Sequence, residues 1–393
     1  MQNVNKNDNE KDLAKIIIVI GPTASGKSDL AVSIAKEIQE TGYATIEKLD
    51  SRNKIYKKVF FDKKECVIIS ADSRQIYKHL DIGSGKITKE EMQNIQHFGL
   101  DIVEPKYNLI ENIANKSTLE MRNENELNAE KKDEEKNKIE IYKNFTAADW
   151  LRYATDKIDN IINENKIPII CGGTGLYVDA LLYGLDDNPE PDYIFRKTLE
   201  NKTTEDIKDM IKEKLAEQDD LDYFYNLNNS EQNNRNRLIR KLELLNSGHK
   251  IKNTDLDNSK RTLRYNAEFI ILEPELDTLQ EKIKLRLEKR LGLNEKENNI
   301  NNSAASVACG RESEKNLIEN INSSPLISEI KGLIENKKAD PKWLMSLGLE
   351  YKYVTEYVLG QISFEEMVDI LNIKIFQYAK RQIKWNRRYE GLK

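Results

Sequence analysis

The stretch KIIIVIGPTASGKS, residues 15–28, decides the fold of this chain. Its apolar first half, Lys15 to Ile20, is typical of a buried strand, and the glycine-rich turn after it opens a helix predicted from about Ser28 to Glu40. The turn matches Gly-x-x-x-x-Gly-Lys-Ser, the P-loop pattern, in which backbone amides and the lysine hold a diphosphate while the serine hydroxyl ligates Mg²⁺. We therefore predict Mg²⁺ as a cofactor on Ser28 and a diphosphate site made of Gly21, Pro22, Thr23, Ala24, Ser25, Gly26, Lys27 and Ser28.

Two further apolar runs end in polar or glycine-rich loops. Val67 to Ala71 leads into Asp72-Ser73-Arg74-Gln75, and Ile167 to Cys171 leads into Gly172-Gly173-Thr174-Gly175. Short apolar strands separated by helical stretches predict a parallel sheet, and the ligands of such sheets bind beyond the carboxyl ends of the strands. The predicted fold is therefore α/β, a P-loop NTPase-like parallel sheet core with a helical insertion and a helical C-terminal region. Its three loops should meet in one crevice.

The composition divides the chain into four predicted parts. In chain order they are a polar tail (1–12), a P-loop α/β core (13–185), a helical insertion domain (186–262) and a return to the core with basic C-terminal helices (263–393). Segments rich in Asn, Lys, Glu or Ser predict three polar surface insertions, at about 44–64, 107–138 and 294–324.

The composition also favours a cytoplasmic protein without disulfides or a membrane partner. The chain has 393 residues, a formal net charge of -5 and three cysteines without CxxC spacing, which indicates neither a disulfide framework nor a zinc site. The apolar run from Ile16 to Ile20 is too short to span a membrane, and the polar tail before it is unlike a signal peptide. The charge is uneven, because basic residues dominate 374–393, and such an end is compatible with binding a phosphate backbone.

Taken singly, the other motifs leave alternatives open. Asp72 follows a buried strand, where it could equally hold Mg²⁺ or act as a general base. The glycine run around Thr174 could be only a tight turn between strand and helix. Arg237 and Arg240 share one helical face, and a solvated charged face is the favoured interpretation for them alone. The same holds for the aromatic and basic residues near the C-terminus, which interleave as they do on RNA-binding surfaces.

Taken together and in this order, the motifs resemble those of tRNA dimethylallyltransferases, also called isopentenyl-tRNA transferases. The matching segments, between residues 15 and 388, are GPTASGKS, DSRQIYKHLDIGSGK, IPIICGGTGLYVDALLYG, NRLIRKLEL and QYAKRQIKWNRR. Three departures stand out: the family usually has Asn-Asp at Asn233-Asn234, Gly-Tyr-Lys-Glu at Gly348-Leu349-Glu350-Tyr351, and phenylalanine at Asn386. These differences leave the reaction intact and bear on how contacts with tRNA are arranged.

The resemblance implies an enzyme, a prenyltransferase that moves the dimethylallyl group of dimethylallyl diphosphate to the exocyclic N6 of the adenosine immediately 3′ of the anticodon in tRNA. It makes Asp72 the general base and, with Lys27, a catalytic residue. The partners it implies are the diphosphate donor and the anticodon stem-loop of tRNA, and we expect a monomer. Phosphate contacts are predicted for Lys380, Arg381, Arg387 and Arg388. The tRNA-binding residues that the resemblance implies are Asp72, Ser73, Arg74, Gln75, Thr174, Arg196, Asn236, Arg237, Leu238, Ile239 and Arg240.

Two other classes of protein compete with this interpretation. A P-loop small-molecule kinase would explain the three crevice motifs, but it would leave the basic and aromatic C-terminus unexplained. A non-catalytic RNA-binding NTPase would explain that C-terminus, but not why a carboxylate and a glycine loop flank the phosphate site.

Overall fold

The computed structural model describes most of the chain, in eight segments. The described residues are 15–50, 53–62, 65–105, 145–186, 188–249, 262–293, 324–336 and 339–390. The predicted polar tail, the insertion predicted at about 107–138 and nearly all of the one at about 294–324 lie outside the described residues.

The apolar runs predicted as strands lie side by side in one parallel sheet. In chain order, strands β1 to β7 are Lys15–Ile20, Tyr43–Asp50, Asn53–Phe60, Cys66–Ala71, Gln96–Phe98, Ile167–Gly172 and Asn266–Ile271. Five of them form the sheet in the order β5-β4-β6-β1-β7, with every neighbouring pair parallel. Because β6 lies between β1 and β4, the three predicted loops are neighbours at the carboxyl ends. The predicted α/β class and its parallel sheet core are confirmed.

Helices alternate with the strands along the chain and continue after the last of them. In chain order, helices α1 to α14 are Lys27–Thr41, Lys89–Met92, Ala147–Asn163, Gly175–Tyr183, Tyr193–Thr198, Thr204–Ala216, Leu221–Tyr225, Asn229–Asn233, Arg235–Asn246, Leu276–Leu291, Pro325–Glu335, Pro341–Ser346, Leu349–Val358 and Phe364–Asn386. A 3₁₀ turn follows at Arg387–Tyr389. Strands β4 and β6 are buried at every residue, so both faces of the sheet centre are covered. Within the described residues, every helix is too short or too polar to cross a membrane.

The polar insertion predicted at about 44–64 contains an antiparallel hairpin. Strands β2 and β3 pair from Tyr43 with Phe60 to Asp50 with Asn53. At the open end of the hairpin, Ala44 and Val59 are buried in the apolar cluster that lies between α1 and the sheet. The sequence pattern predicted a polar insertion here and no strands, because lysine, glutamate and asparagine residues interrupt the apolar positions of this stretch.

The described chain divides into two compact units. The first unit takes in the described parts of Met1–Pro105, Thr146–Gly184 and Leu263–Lys393, and the second those of Lys106–Phe145 and Leu185–Thr262. The sheet and helices α10 to α14 belong to the first unit.

The second unit has an apolar core of its own, built from helices α5 to α9. Ile207 and Ile211 of α6 pack with Leu238 and Leu242 of α9, and each of these four residues is buried. Their spacing of four residues places each pair on one helical face. The remaining faces of these helices carry charged residues, which explains the charged and helical pattern of the predicted insertion domain.

Candidate active site

The P-loop turns where the sequence predicts it, between β1 and α1. Gly26 precedes α1 in a left-handed conformation with φ of 84°, and Ala24 is also left-handed with φ of 63°. Successive amides in turns of this kind form a concave anion-binding surface, to which the amino end of a helix contributes. The hydroxyl of Ser25 is buried in the turn without a hydrogen-bond partner among the described residues. The loop therefore has the geometry that a diphosphate site needs.

Lys27, the first residue of α1, is enclosed by the P-loop. Its Nζ donates to the carbonyl oxygen of Pro22 at 3.3 Å. Burial lowers the pKa of Lys27, and the charge of Arg286 acts in the same direction, whereas Asp72 and Cys171 raise this pKa. An ammonium that has lost its water is stabilised strongly by a bound anion. Lys27 is thus suited to a negatively charged ligand in the loop.

Asp72 follows β4 directly and organises the turn after it. Its Oδ1 accepts hydrogen bonds from the backbone N–H of Arg74 at 2.8 Å and of Gln75 at 3.4 Å. The backbone N–H of Ser73 donates to the hydroxyl of Thr174 at 3.0 Å. The structure therefore brings these five predicted site residues together across the ends of the adjacent strands β4 and β6.

The glycine run after β6 allows this close approach. A Cβ on Gly172 would lie 2.2 Å from the carbonyl oxygen of Ala71, and the N–H of Thr174 donates to that oxygen at 3.1 Å. Gly175, at the start of α4, lies against the indole of Trp385, where a Cβ would be 2.2 Å from the ring. Side chains at these two glycines would push the loop away from β4 and from the C-terminal helix.

Asp72 lines a cavity of about 210 Å³ inside the first unit. One side is polar and takes in the P-loop, the turn after β4 and two arginines of α10. The rest of the lining comes from α13 and α14 and from the two residues before α13, and it includes apolar groups. The lining includes Thr23, Asp72, Gly83, Arg286, Arg290, Glu350, Tyr351 and Tyr378. Such a space suits a small molecule that has both an anionic and an apolar part.

Arg286 of α10 is a cation of this cavity that the sequence interpretation missed. Its Nη2 donates to the hydroxyl of Thr23, so the guanidinium contacts the P-loop. Burial and the charge of Arg290 lower the pKa of Arg286 to about 10, a value at which the group remains charged at neutral pH. The nearby carboxylate of Glu350 is bonded to Arg290 instead. Arg286 therefore offers positive charge to a ligand of the P-loop.

Gln382 of α14 joins the P-loop to the glycine run. Its Oε1 accepts from the backbone N–H of Thr23 at 2.8 Å, and its Nε2 donates to the carbonyl oxygen of Gly173 at 2.8 Å. Only 7% of this residue is exposed. Since the N–H of Thr23 is occupied, a bound phosphate would use other amides of the loop.

Gln382→Leu should lower the free energy of unfolding by about 1–3 kcal/mol, because the N–H of Thr23 and the carbonyl of Gly173 would lose their partner. Urea denaturation followed by circular dichroism measures this change. Gln377→Leu is the matched control, because Gln377 is exposed on the same helix. Equal losses in the two variants would contradict the assignment of a bridging role to Gln382.

Two predicted tRNA-binding side chains are also engaged within the protein. Arg74 donates through Nη2 to the carbonyl oxygen of Leu347. Gln75 accepts from the hydroxyl of Ser70 at 3.0 Å, and its Nε2 donates to the carbonyl oxygen of Gly85 at 3.1 Å. A guanidinium has five N–H groups and a side-chain amide can make four hydrogen bonds. Any contact of Arg74 or Gln75 with another molecule would therefore use the remaining groups or replace these bonds.

In the second unit, two predicted tRNA-binding arginines share one buried carboxylate. Arg196 donates to Glu243 from Nε at 2.6 Å and from Nη2 at 2.9 Å, and Arg240 donates to it from Nη1 at 3.0 Å. The side chain of Glu243 is 3% exposed. A buried carboxylate needs such partners, so both arginines have a structural role within the second unit.

Leu238, one of the predicted tRNA-binding residues, has a buried side chain. Helix α9 turns its side chain into the apolar core of the second unit, where it is 0% exposed. In this conformation a contact of Leu238 with tRNA would have to use its backbone, and its assignment to the tRNA-binding set stays a prediction. Ile239 is partly buried against the same core, whereas Asn236 and Arg237 are exposed. Contacts by those three residues stay predictions.

Two of the basic residues near the C-terminus form ion pairs within the protein. Arg387 donates from Nε to Glu273 at 2.9 Å. Arg388 pairs with Asp179 at 3.3 Å, and its guanidinium lies over the ring of Trp385. These ion pairs weaken the prediction that both arginines contact phosphates. The basic residues of α14 that remain exposed are Lys374, Lys380, Arg381 and Lys384.

The sequence interpretation missed three of the site's side chains: Arg286, Gln382 and Tyr378. Burial raises the pKa of Tyr378 to about 12, and the charge of Asp72 contributes to this shift. The available signal was helical spacing, since Tyr378 and Gln382 are four residues apart, as are Arg286 and Arg290. Helical spacing shows which residues share one face of a helix, but it does not show which other residues that face contacts.

A family model described as IPP transferase matches residues 75–113, 136–299 and 315–389. The tRNA dimethylallyltransferase of Bacillus subtilis (strain 168) is 27% identical over 373 residues, which cover 95% of this chain and 87% of that protein.

Two solved structures share the fold. The full-length tRNA isopentenylpyrophosphate transferase from Bacillus halodurans has a TM-score of 0.51 at 23% identity, covering 95% of this chain and 86% of that chain. A eukaryotic dimethylallyltransferase acting on tRNA has a TM-score of 0.57 at 18% identity, covering 95% and 70%. These likenesses support the predicted P-loop NTPase-like fold. Because the family model matches most of its length, including the helices that line the cavity, this chain belongs to the IPP transferase family.

Proposed function

We propose that this chain is a tRNA dimethylallyltransferase, which transfers the dimethylallyl group of dimethylallyl diphosphate to the exocyclic N6 of the adenosine immediately 3′ of the anticodon. The observation that carries the proposal is one cavity lined by the carboxylate of Asp72, the P-loop residue Thr23 and the guanidinium of Arg286. Transfer from a diphosphate to a weakly nucleophilic amine needs a base and an anion site close together. The name of the Bacillus subtilis relative supports the same reaction.

The P-loop and two cations would stabilise the leaving group. When the bond between C1 and oxygen of the donor breaks, the electron pair stays with the diphosphate, whose negative charge grows. Lys27 and Arg286 contact the P-loop through Pro22 and Thr23, and burial lowers the pKa of both cations. Preorganised charges of this kind stabilise a transition state in which charge develops on the leaving oxygens.

Asp72 would take the proton that N6 loses as the new C–N bond forms. The N–H groups of Arg74 and Gln75 hold its Oδ1, which orients the carboxylate. General-base assistance typically contributes about 10²- to 10⁴-fold to the rate. The adenine must leave its stack to reach the cavity, and Ser73 and Thr174 beside Asp72 are further candidates for contacts with it.

The residues at the P-loop fit a Mg²⁺ ion. Ser28 is the second residue of α1, so its hydroxyl lies at the amino end of the helix that follows the P-loop. Mg²⁺ commonly takes one or two protein oxygens and completes its shell with phosphate oxygens and water. The hydroxyl of Ser28 is such an oxygen, and P-loop enzymes use a serine or threonine at this position. When bound there, the ion would neutralise charge on the diphosphate.

One assay tests the proposal against the two competing classes of protein. Radiolabelled dimethylallyl diphosphate and labelled ATP are each incubated with the protein and unmodified tRNA. We expect label in tRNA from the dimethylallyl donor alone, located after nuclease digestion in N6-(dimethylallyl)adenosine. Phosphate transfer from ATP without dimethylallyl transfer would indicate a kinase, and tRNA binding without either transfer a non-catalytic protein. An anticodon stem-loop with guanosine in place of the acceptor adenosine is the control.

The exposed basic face of α14 should bind tRNA phosphates. Because Arg387 and Arg388 have carboxylate partners, we expect the larger contribution from Lys380, Arg381 and Lys384. Their triple alanine variant should bind tRNA more weakly, with a slope of log K against log salt that is shallower by up to about 3. Filter-binding titrations measure this slope, and Arg387→Ala is the control with the smaller expected change. A slope equal to that of the parent would show that these three residues are solvated and do not contact tRNA phosphates.

A further inference from the structure

Two arginines lie one turn apart on α10, and both line the cavity. Arg286 and Arg290 each place a guanidinium nitrogen within 4 Å of the point where a Cβ on Gly85 would stand, so the two groups are neighbours. Two like charges at such a distance repel each other and together attract an anion strongly. A diphosphate in the cavity would meet both charges unless one of them were neutralised within the protein.

Glu350 neutralises Arg290 and holds it on the cavity wall. Its Oε1 accepts from Nη1 of Arg290 at 2.8 Å, and the two side chains are 9% and 10% exposed. The same Nη1 donates to the carbonyl oxygen of Gly83 at 3.3 Å, and Nη2 packs against Gly85. Arg290 is therefore engaged on several sides, whereas Arg286 reaches the P-loop.

The backbone segment 81–83 contacts Arg290 through the carbonyl oxygen of Gly83, and Glu329 holds this segment independently. The carboxylate of Glu329 accepts from the backbone N–H of Asp81 at 2.9 Å, of Ile82 at 2.6 Å and of Gly83 at 3.1 Å, and from the hydroxyl of Tyr351 at 3.1 Å. These bonds do not involve Glu350. Loss of the charge of Glu350 should therefore leave the charge of Arg290 uncompensated without displacing this backbone segment.

We propose that Glu350 limits how tightly the cavity holds diphosphate, by keeping Arg290 on the wall and leaving Lys27 and Arg286 as the cations that meet the donor. This inference rests on the proposed function, in which diphosphate is both part of the donor and a product. Charge that stabilises the leaving group also retains it after transfer, so pairing one of the arginines internally favours product release. The departure at residue 350 reverses the charge of the family's usual lysine, and Arg290 is the partner that balances it here.

Glu350→Gln tests the proposal, because the amide keeps the shape and an acceptor for Arg290 but removes the charge. Inorganic pyrophosphate is titrated into the full chain by isothermal titration calorimetry. We expect the variant to bind pyrophosphate about 10-fold more tightly than the parent, the size of one added charge-assisted contact. The unliganded variant should melt at a lower temperature, because a buried charge loses its partner, and pyrophosphate should raise its Tm more than that of the parent.

Two further variants separate the outcomes. Glu356→Gln is the matched control, because Glu356 lies on the same helix and pairs with Lys352 at 3.8 Å, and its pyrophosphate affinity should equal that of the parent. Replacing both partners, with Glu350→Gln and Arg290→Met together, should return the affinity to the parent level. A parent that binds no pyrophosphate would refute the proposed function. A parent that binds it, with Glu350→Gln equal or weaker, or with the double variant as tight as Glu350→Gln, would overturn this inference alone.

Discussion

Asp72→Asn should slow single-turnover dimethylallyl transfer by about 10²-fold or more while leaving the affinity for dimethylallyl diphosphate nearly intact. The asparagine keeps an oxygen that can accept from the N–H groups of Arg74 and Gln75, so the turn after β4 should keep its shape. The variant loses the capacity to take the proton from N6. Transfer to an anticodon stem-loop, measured over a range of Mg²⁺ concentrations, tests whether binding and catalysis separate in this way.

Controls for this variant follow from its surroundings. Asp156→Asn removes an exposed carboxylate on α3 and should transfer at the parent rate. Because Asp72 raises the pKa of Lys27, its loss lets that pKa fall, and donor affinity is therefore also measured at a lower pH, which favours the charged form of Lys27. Substantial recovery of the rate by added Mg²⁺ would place Asp72 on the metal and refute its role as the general base.

Lys27→Ala should weaken the binding of dimethylallyl diphosphate by about 10- to 100-fold, the effect of losing one charged hydrogen-bond donor, and should slow transfer as well. The affinity for tRNA should stay nearly unchanged, since the prediction assigns Lys27 to the donor. Burial disfavours the charged ammonium, so its removal should not lower the Tm of the unliganded protein. Equilibrium binding of labelled donor and of tRNA, with a thermal melt, measures the three effects.

Lys36→Ala is the matched control for this second variant. Lys36 lies on the same helix, is exposed, and donates to the side chain of Gln93 at 2.7 Å. Its replacement should leave donor binding and transfer at parent levels. If Lys27→Ala also bound the donor and turned over like the parent, the P-loop would not be the diphosphate site.

The features that the sequence predicted correctly are those encoded by neighbouring residues. The run from Ile16 to Ile20 is apolar at every position, which predicts a strand covered on both faces, and the structure buries all of it. The P-loop turn needs particular backbone conformations at Ala24 and Gly26, and these lie within one contiguous pattern. The loops that contain Asp72 and Thr174 were placed together because parallel strands end at one edge of a sheet.

Other features depended on packing that no local pattern reveals. The hairpin of β2 and β3 packs on the core through Ala44 and Val59, two apolar residues near the ends of a stretch that is otherwise mostly polar. The side chain of Leu238 belongs to the core of the second unit, although the motif around it resembles a tRNA-binding segment.

The sequence by itself determined the parallel sheet, the P-loop, the carboxylate at the end of β4 and the family resemblance, because each is carried by contiguous residues whose backbone preferences and apolar periodicity act locally. Only the tertiary structure decided which distant side chains complete the cavity. Thr23 and Gln382 are 359 positions apart and Thr23 and Arg286 are 263 apart, yet both pairs are hydrogen-bonded. Helical spacing fixes the residues that share a face, whereas the packing of α10 and α14 on the sheet fixes what that face contacts.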